Sequence, residues 1–406
     1  MRPLLFPDDP QFWFETLRSL GHAPYGGSDF GEVVSTAERI VAGDYDSWHD
    51  EWLALADRVA AEAEKARAAG HPITARDGLL RASNYYRSAE FFLHGDPADP
   101  RIRHAYTRSV DCFQTAAALF EPAIEPVLIP YEDMHLRGYF YRAPGAGPHP
   151  TMVLHNGFDG TAEEMHFFGA PAGAERGYHV LTFDGPGQPA ARFHDGLPFR
   201  PDWENVVGPV LDWLLARPDV DPDRLGLLGL SMGGLLAPRA AAFEPRLAAC
   251  VAVDGLYDLG LLSTRNLPGT RAEQERILRA DQAPELDAAL EKMAAENPTS
   301  RWAFTHGMYA MGVDSPRAFL ASYLDYHLRD GVAERITCPT LVCDPEDDMF
   351  FAGQPELLYD HLTAPKTLMR FTTAEGAGAH CHSGAQRLAM GRIYDWLDDT
   401  LRPGRR

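Results

Sequence analysis

The segment Gly229-Leu230-Ser231-Met232-Gly233 sets a serine between glycines where an apolar strand, LGLLGL, meets a helix, SMGGLLAPRAAAF. A sharp strand-to-helix turn projects a nucleophilic serine, and small flanking residues are needed because such a turn is strained and closely packed. The helix N-terminus adds partial positive charge beneath Ser231. A serine hydroxyl is a poor nucleophile until a base takes its proton, and that base needs an orienting acid. At this kind of turn the partners follow in the order serine, acid, histidine.

Two later loops supply them. After the strand TLVCD, the run PEDDMFF offers Asp344, Glu346, Asp347 and Asp348; after TLMRF, EGAGAHCHSGA offers His380 and His382. Asp344 ends its strand, and Glu346 and Asp347 read as turn residues. Asp348 is therefore the preferred acid, with Asp347 its competitor. His380, directly after the glycine-rich loop, is the expected base; His382 is expected to line the pocket or cap the next helix. An oxyanion needs two backbone donors. The amide of Met232 is one, and the loop HNGFDG offers the other at Phe158. Gly157 lets that backbone approach a substrate, while His155 and Asp159 read as braces of the loop.

The elements that must hold these groups are legible as periods. In residues 52–70, 79–95 and 102–120 apolar side chains recur on one helical face, giving an N-terminal helical layer. Near residue 125 the period changes from 3.6 to 2, and from residue 151 apolar strands alternate with helices. That alternation predicts an α/β fold, a mostly parallel sheet covered on both faces. Between Asp258 and Arg335 the strand signal lapses, and LRADQAPELDAALEKMAAENP and SPRAFLASYLDYHLRDG read as inserted helices. The expected division is a helical cap over 1–125 and a catalytic domain over 126–406, with a helical lid at about 258–335. Aromatic residues in the layer (Trp13, Phe14, Tyr85, Tyr86, Phe91, Phe92) and in the insertion (Trp302, Phe304, Tyr309, Phe319, Tyr323) point to an apolar, enclosed pocket.

Composition narrows the partners. Of 406 residues, 37 are Lys or Arg and 58 are Asp or Glu, a net charge of -21. Such a surface repels phosphate backbones and anionic headgroups, so neither nucleic acid nor a membrane is an expected partner. The stretch MRPLLFPDDPQFWFETL lacks the apolar core of a secretory signal. The five scattered cysteines (Cys112, Cys250, Cys338, Cys343, Cys381) form no CxxC pair and read as reduced thiols in a cytoplasmic protein. No GxxxxGK[ST] or GxGxxG stands at a strand–helix junction, so the glycine-rich segments are not read as phosphate-binding; no metal or redox cofactor is expected.

GLSMGG, PEDD, GAGAHC, HNGFDGTAEE and TFDGPGQ together resemble the α/β-hydrolase superfamily. More narrowly they resemble the branch with an N-terminal helical domain that includes 2,6-dihydroxypseudooxynicotine hydrolase and the FrsA-like esterases. LLRASNYYRSAEFFL is similar to that branch too, so the resemblance runs from about residue 75 onward. It implies a Ser231–Asp348–His380 triad under a roof made by the helical layer and the inserted helices. It also implies a homodimer, and a chemistry that in some members cleaves a carbon–carbon bond beside a ketone rather than an ester. The branch includes an enzyme with a further acidic residue near the triad; Asp254 and Asp258 are the nearest carboxylates. Pro189 departs from the branch, which usually has glycine after GPGQ. The expected activity is hydrolysis of a small hydrophobic carbonyl compound through an acyl-enzyme, with acyl transfer or cyclisation by the same groups as the alternative.

Overall fold

The structure, a computed structural model, describes residues 2–402. Eight strands form one sheet: β1 (Glu125–Tyr131), β2 (Met134–Tyr141), β3 (His149–His155), β4 (His179–Asp184), β5 (Val220–Leu230), β6 (Leu247–Val253), β7 (Thr340–Pro345) and β8 (Lys366–Phe371). Their order is β1-β2-β4-β3-β5-β6-β7-β8. β2 pairs antiparallel with β1 and β4, and every other pairing is parallel. The interior strands β4 and β7 are buried along their whole length, whereas the edge strand β1 alternates between buried and exposed. Helices cover the interior strands on both faces, so these read as continuous apolar runs.

Five helices precede the sheet: α1 (Pro10–Gly21), α2 (Phe30–Ala37), α3 (Tyr45–Ala68), α4 (Pro72–Glu90) and α5 (Pro100–Ala117). The periodicity had indicated three. The first, α1, starts where Asp9 accepts a hydrogen bond from the Phe12 amide and Pro10 supplies a pre-set φ at the first turn. Its Phe12 packs on Trp48 of α3 and on Phe92, with centroids 4.6 and 5.0 Å apart. At the crossing of α3 and α4 a Cβ on Gly78 would lie 2.8 Å from the Cβ of Ala63, so the two helices touch through small residues.

Elsewhere three readings are corrected. The stretch 161–177 is a short 3-10 turn, Glu164–His166, and a helix, Ala170–Glu175, because Gly169 adopts φ 111 with Met390 packed where a Cβ would be. The insertion between β6 and β7 holds more helix than expected: besides Pro284–Glu296 and Pro316–Ser322 it contains Gly260–Thr264, Arg271–Leu278 and Pro298–Met311. The helix Pro298–Met311 packs on α1 as well as on its neighbours in the insertion, so it lacks a single apolar stripe. Beyond Ser322 the chain leaves the helix because the 326–328 backbone pairs with 257–259: Leu259 donates to Tyr326 O and Leu328 to Tyr257 O.

A buried charge cluster joins the helical layer to the sheet. Arg18 of α1 donates from Nε and Nη2 to the Glu164 carboxylate at 2.7 and 2.6 Å, and from Nη1 to Asp159 at 2.8 Å. Arg87 of α4 lies 3.5 Å from Glu15 and 3.7 Å from Glu164. Two arginines balance the ionised Asp159 and Glu164, and burial pushes the third carboxyl, Glu15, up to about 7 despite both arginines. A carboxyl with a raised pKa in the fold stabilises it at low pH, and that stability is lost as pH rises through the folded value. Glu15→Gln should therefore match the wild type in urea unfolding below pH 4.5 and exceed it above pH 7, with the difference developing between those values.

Candidate active site

Ser231 follows β5 directly and precedes the helix Gly233–Ala241. The chain reverses there in one residue, which requires the left-handed backbone of Ser231 at φ 58. Such a conformation is costly for a residue with a Cβ and persists only when its surroundings enforce it. They do so by close approach. A Cβ on Gly229 would fall on the carbonyl of Gly233, and one on Gly157 would lie 2.6 Å from the Met232 nitrogen.

His380 Nε2 lies 2.9 Å from Ser231 Oγ, so the hydroxyl can donate to it, and His380 Nδ1 donates to Asp348 Oδ2 at 3.0 Å. The other Asp348 oxygen accepts from the amides of Phe350 and Phe351 at 2.8 and 3.2 Å. Asp347 is exposed and its amide donates to Gly378 O; Asp344 faces Arg370 at 3.1 Å, and Glu346 accepts from the Thr373 amide. Only Asp348 of the four therefore meets His380. His382 neither lines the cavity nor caps a helix: it is fully buried, packs against Phe371 with ring centroids 3.8 Å apart, and donates to Ala377 O. Its role is to hold the loop that presents His380. His155 donates to Asn156 O and packs on Phe183 and Trp203, the brace its position suggested.

Of the two further carboxylates, Asp258 caps Gly260 and faces Arg271 and Arg329, away from the histidine. Asp254 is different. It directly follows β6 in a left-handed backbone, φ 57, fully buried, with Oδ2 3.1 Å from His380 Nδ1. The amide and the thiol of Cys381 both donate to that same oxygen, at 2.8 and 2.9 Å. Burial pushes Asp254 up to about 7. Burial also opposes ionisation of Asp348, but His380 and the two amides hold it below the usual carboxylate range. Burial alone would lower His380; Asp348 and Asp254 override it and lift the imidazole to about 9. Asp254, His380 and Cys381 could together offer three ligand atoms to a metal ion. Those atoms are already engaged with one another, and burial keeps the Cys381 thiol protonated.

The site opens into a cavity of about 350 Å³. Phe14, Phe158, Trp302, Phe319, Tyr323 and Phe350 give it aromatic walls, and Arg18 and Asp159 reach its edge. Of the aromatic residues singled out in the sequence, Phe304 also lines it, whereas Trp13, Tyr85, Tyr86, Phe91, Phe92 and Tyr309 do not. Tyr85 and Tyr86 instead donate to Glu32 and Asp57 inside the helical layer. The N–H groups of Phe158 and Met232, on adjoining loops, are not spent on acceptors among the described residues. Pro189 opens a short helix, Pro189–Asp195, as its first residue, where a missing N–H costs nothing.

An eight-stranded, mostly parallel sheet with a serine at the strand-to-helix reversal, a helical insertion after β6 and an N-terminal helical layer is the architecture of an α/β-hydrolase. Within that class the chain belongs to the FrsA-like esterase family, which matches residues 8–267. Hydrolase LUC6 of Fusarium sp is 36% identical over 405 residues, 96% of each chain. The 20-hydroxy-prefusarin hydrolase FUS2 of Gibberella moniliformis is 35% identical over 409 residues, again 96% of each chain. Among solved structures, 2,6-dihydroxy-pseudo-oxynicotine hydrolase superposes with a TM-score of 0.74 at 25% identity, covering 95% of this chain and 96% of its own. The chain is an α/β-hydrolase enzyme, and no helix among its described residues is long and apolar enough to cross a membrane.

Asp254→Asn removes one of two carboxylates from His380 Nδ1. The NMR titration of the His380 ring should move to lower pH than in the wild type; an unmoved midpoint would mean that Asp254 exerts no field on it.

Proposed function

We propose that the chain is a serine hydrolase acting on a small hydrophobic carbonyl compound, with residues 1–125 serving as a cap over the catalytic domain. The observation that carries this reading is the unbroken run from Ser231 Oγ through His380 to Asp348, 2.9 and 3.0 Å, at the floor of an apolar cavity. His380 takes the hydroxyl proton as Ser231 attacks the carbonyl carbon. The N–H groups of Met232 and Phe158 receive the charge that develops on the carbonyl oxygen. His380 then returns the proton to the leaving group, and water resolves the acyl-enzyme by the same route.

A cavity of this size with aromatic walls suits a compact molecule rather than a polymer. The names of two similar proteins, a 20-hydroxy-prefusarin hydrolase and a 2,6-dihydroxy-pseudo-oxynicotine hydrolase, also denote small organic substrates. Where the leaving group is carbon, it must depart as a stabilised enolate or carbanion, so β-diketones and activated aryl ketones stand beside esters as the classes to assay. All five cysteines are buried and free, consistent with a cytoplasmic setting. We take the homodimer of the resembled branch as the assembly to test by light scattering.

A fluorophosphonate should add once to the wild type, read by intact mass. Ser231→Ala should take up none, and His380→Ala should react slower by on the order of a thousandfold. An adduct on Ser231→Ala would remove Ser231 from the chemistry.

A further inference from the structure

Three consecutive carbonyls of the loop after β3, at Asn156, Gly157 and Phe158, are held by two buried side chains from different parts of the molecule, Gln188 on the first two and His306 on the third. Gln188, fully buried in the GPGQ turn, donates from Nε2 to Asn156 O at 2.5 Å and to Gly157 O at 3.2 Å. Its amide has one possible orientation. Oε1 accepts from the Gly185 amide at 2.7 Å, while its own backbone N–H returns to Gly185 O at 3.0 Å. His306, in the helix Pro298–Met311, donates from Nε2 to Phe158 O at 2.9 Å. Burial pulls the His306 ring down to about 4, so it is neutral, and Nδ1 is left as an acceptor facing His94 Nδ1 at 3.3 Å.

We propose, on the serine-hydrolase reading, that Gln188 and His306 are positioning residues that aim the Phe158 N–H at the developing oxyanion. A trans peptide is planar, so pinning the Gly157 carbonyl sends the Phe158 N–H of the same plane in the opposite direction. A donor on the carbonyl also polarises that peptide, strengthening the N–H as a donor. His306 fixes the next peptide plane, so both planes flanking the Phe158 Cα are set by side chains and not by the loop itself. Besides lining the cavity, the insertion thereby reaches the chemistry through a residue that does not line it: through His306 its helix sets the geometry of the hole.

The test compares His306→Phe, which keeps a ring against Phe158 but donates nothing, with His306→Gln, whose amide can donate. Misaiming a donor by about 1 Å costs up to a hundredfold in rate. For p-nitrophenyl butyrate, His306→Phe should lower kcat roughly ten- to hundredfold with KM within about twofold. Fluorophosphonate labelling should slow in parallel, and the acid limb of the pH profile should stay in place because His380 is untouched. His306→Gln should recover most of the loss. Wild-type rates in His306→Phe, or no recovery in His306→Gln, would overturn the proposal. If His306→Phe does not fold, His94→Phe is read instead: it keeps the ring that stacks on Tyr309 but frees the His306 tautomer, and should lower kcat several-fold, an unchanged kcat counting against the proposal. An active Ser231→Ala would remove the underlying reading as well; an inactive Ser231→Ala beside an unimpaired His306→Phe would remove this inference alone.

Discussion

Everything at the site hangs on one residue held in a backbone conformation it disfavours. Ser231 at φ 58 turns the chain from β5 into the following helix, and it stays there because the loops on either side leave no room to relax. Gly229 meets Gly233, and Gly157 meets Met232, so the hydroxyl, the helix N-terminus and the two candidate oxyanion amides are fixed against one another before a substrate arrives. Strain of about 1–3 kcal/mol at one position is tolerable in a fold with so large a buried sheet. It would not be tolerable without the glycines that let the backbones touch.

Around that point the charges are arranged in two separate groups. One surrounds His380, where Asp348 is the hydrogen-bonded partner and Asp254 adds a second carboxyl on the same nitrogen. The other lies between α1, α4 and the loop after β3, where Arg18 and Arg87 meet Glu15, Asp159 and Glu164. Buried ion pairs of this kind add little net stability, since desolvation offsets most of the attraction, but they penalise any other arrangement strongly. Here they tie the helical layer to the loop that carries Phe158.

Much of this was legible in the sequence because it follows from local rules. Continuous apolar strands, the strand-to-helix glycines around Ser231, and acid and base candidates on loops after late strands could all be read from residue type and spacing. What escaped was tertiary in origin. The helix Pro298–Met311 buries more than one face, so its periodicity is blurred, and α1 begins only three residues after Pro7 and buries nearly all of its length, so no single apolar stripe marks it. Choosing Asp348 over Asp347 rested on reading Asp347 as a turn residue; the burial of Asp348 against His380 is what separates them in space. Asp254, one of two carboxylates the resemblance suggested, is brought to His380 by the strand order β6-β7-β8, and no spacing rule reports which strands are neighbours or selects it over Asp258. Nor does any local signal mark His306, whose partner is a carbonyl 148 positions away in the chain.

Phe14 illustrates how closely the helical layer and the candidate site are joined. It projects from α1 into the cavity, with its ring 5.6 Å from Phe350 beside the acid and 5.8 Å from the His380 imidazole. The cavity wall that Phe14 forms is thus also a wall against which the His380 ring sits. In engineering terms the helical layer is not a modular specificity element. Grafting it from a relative to change what the enzyme accepts would exchange one face of the histidine's own packing, so selectivity and rate would move together rather than as independent dials.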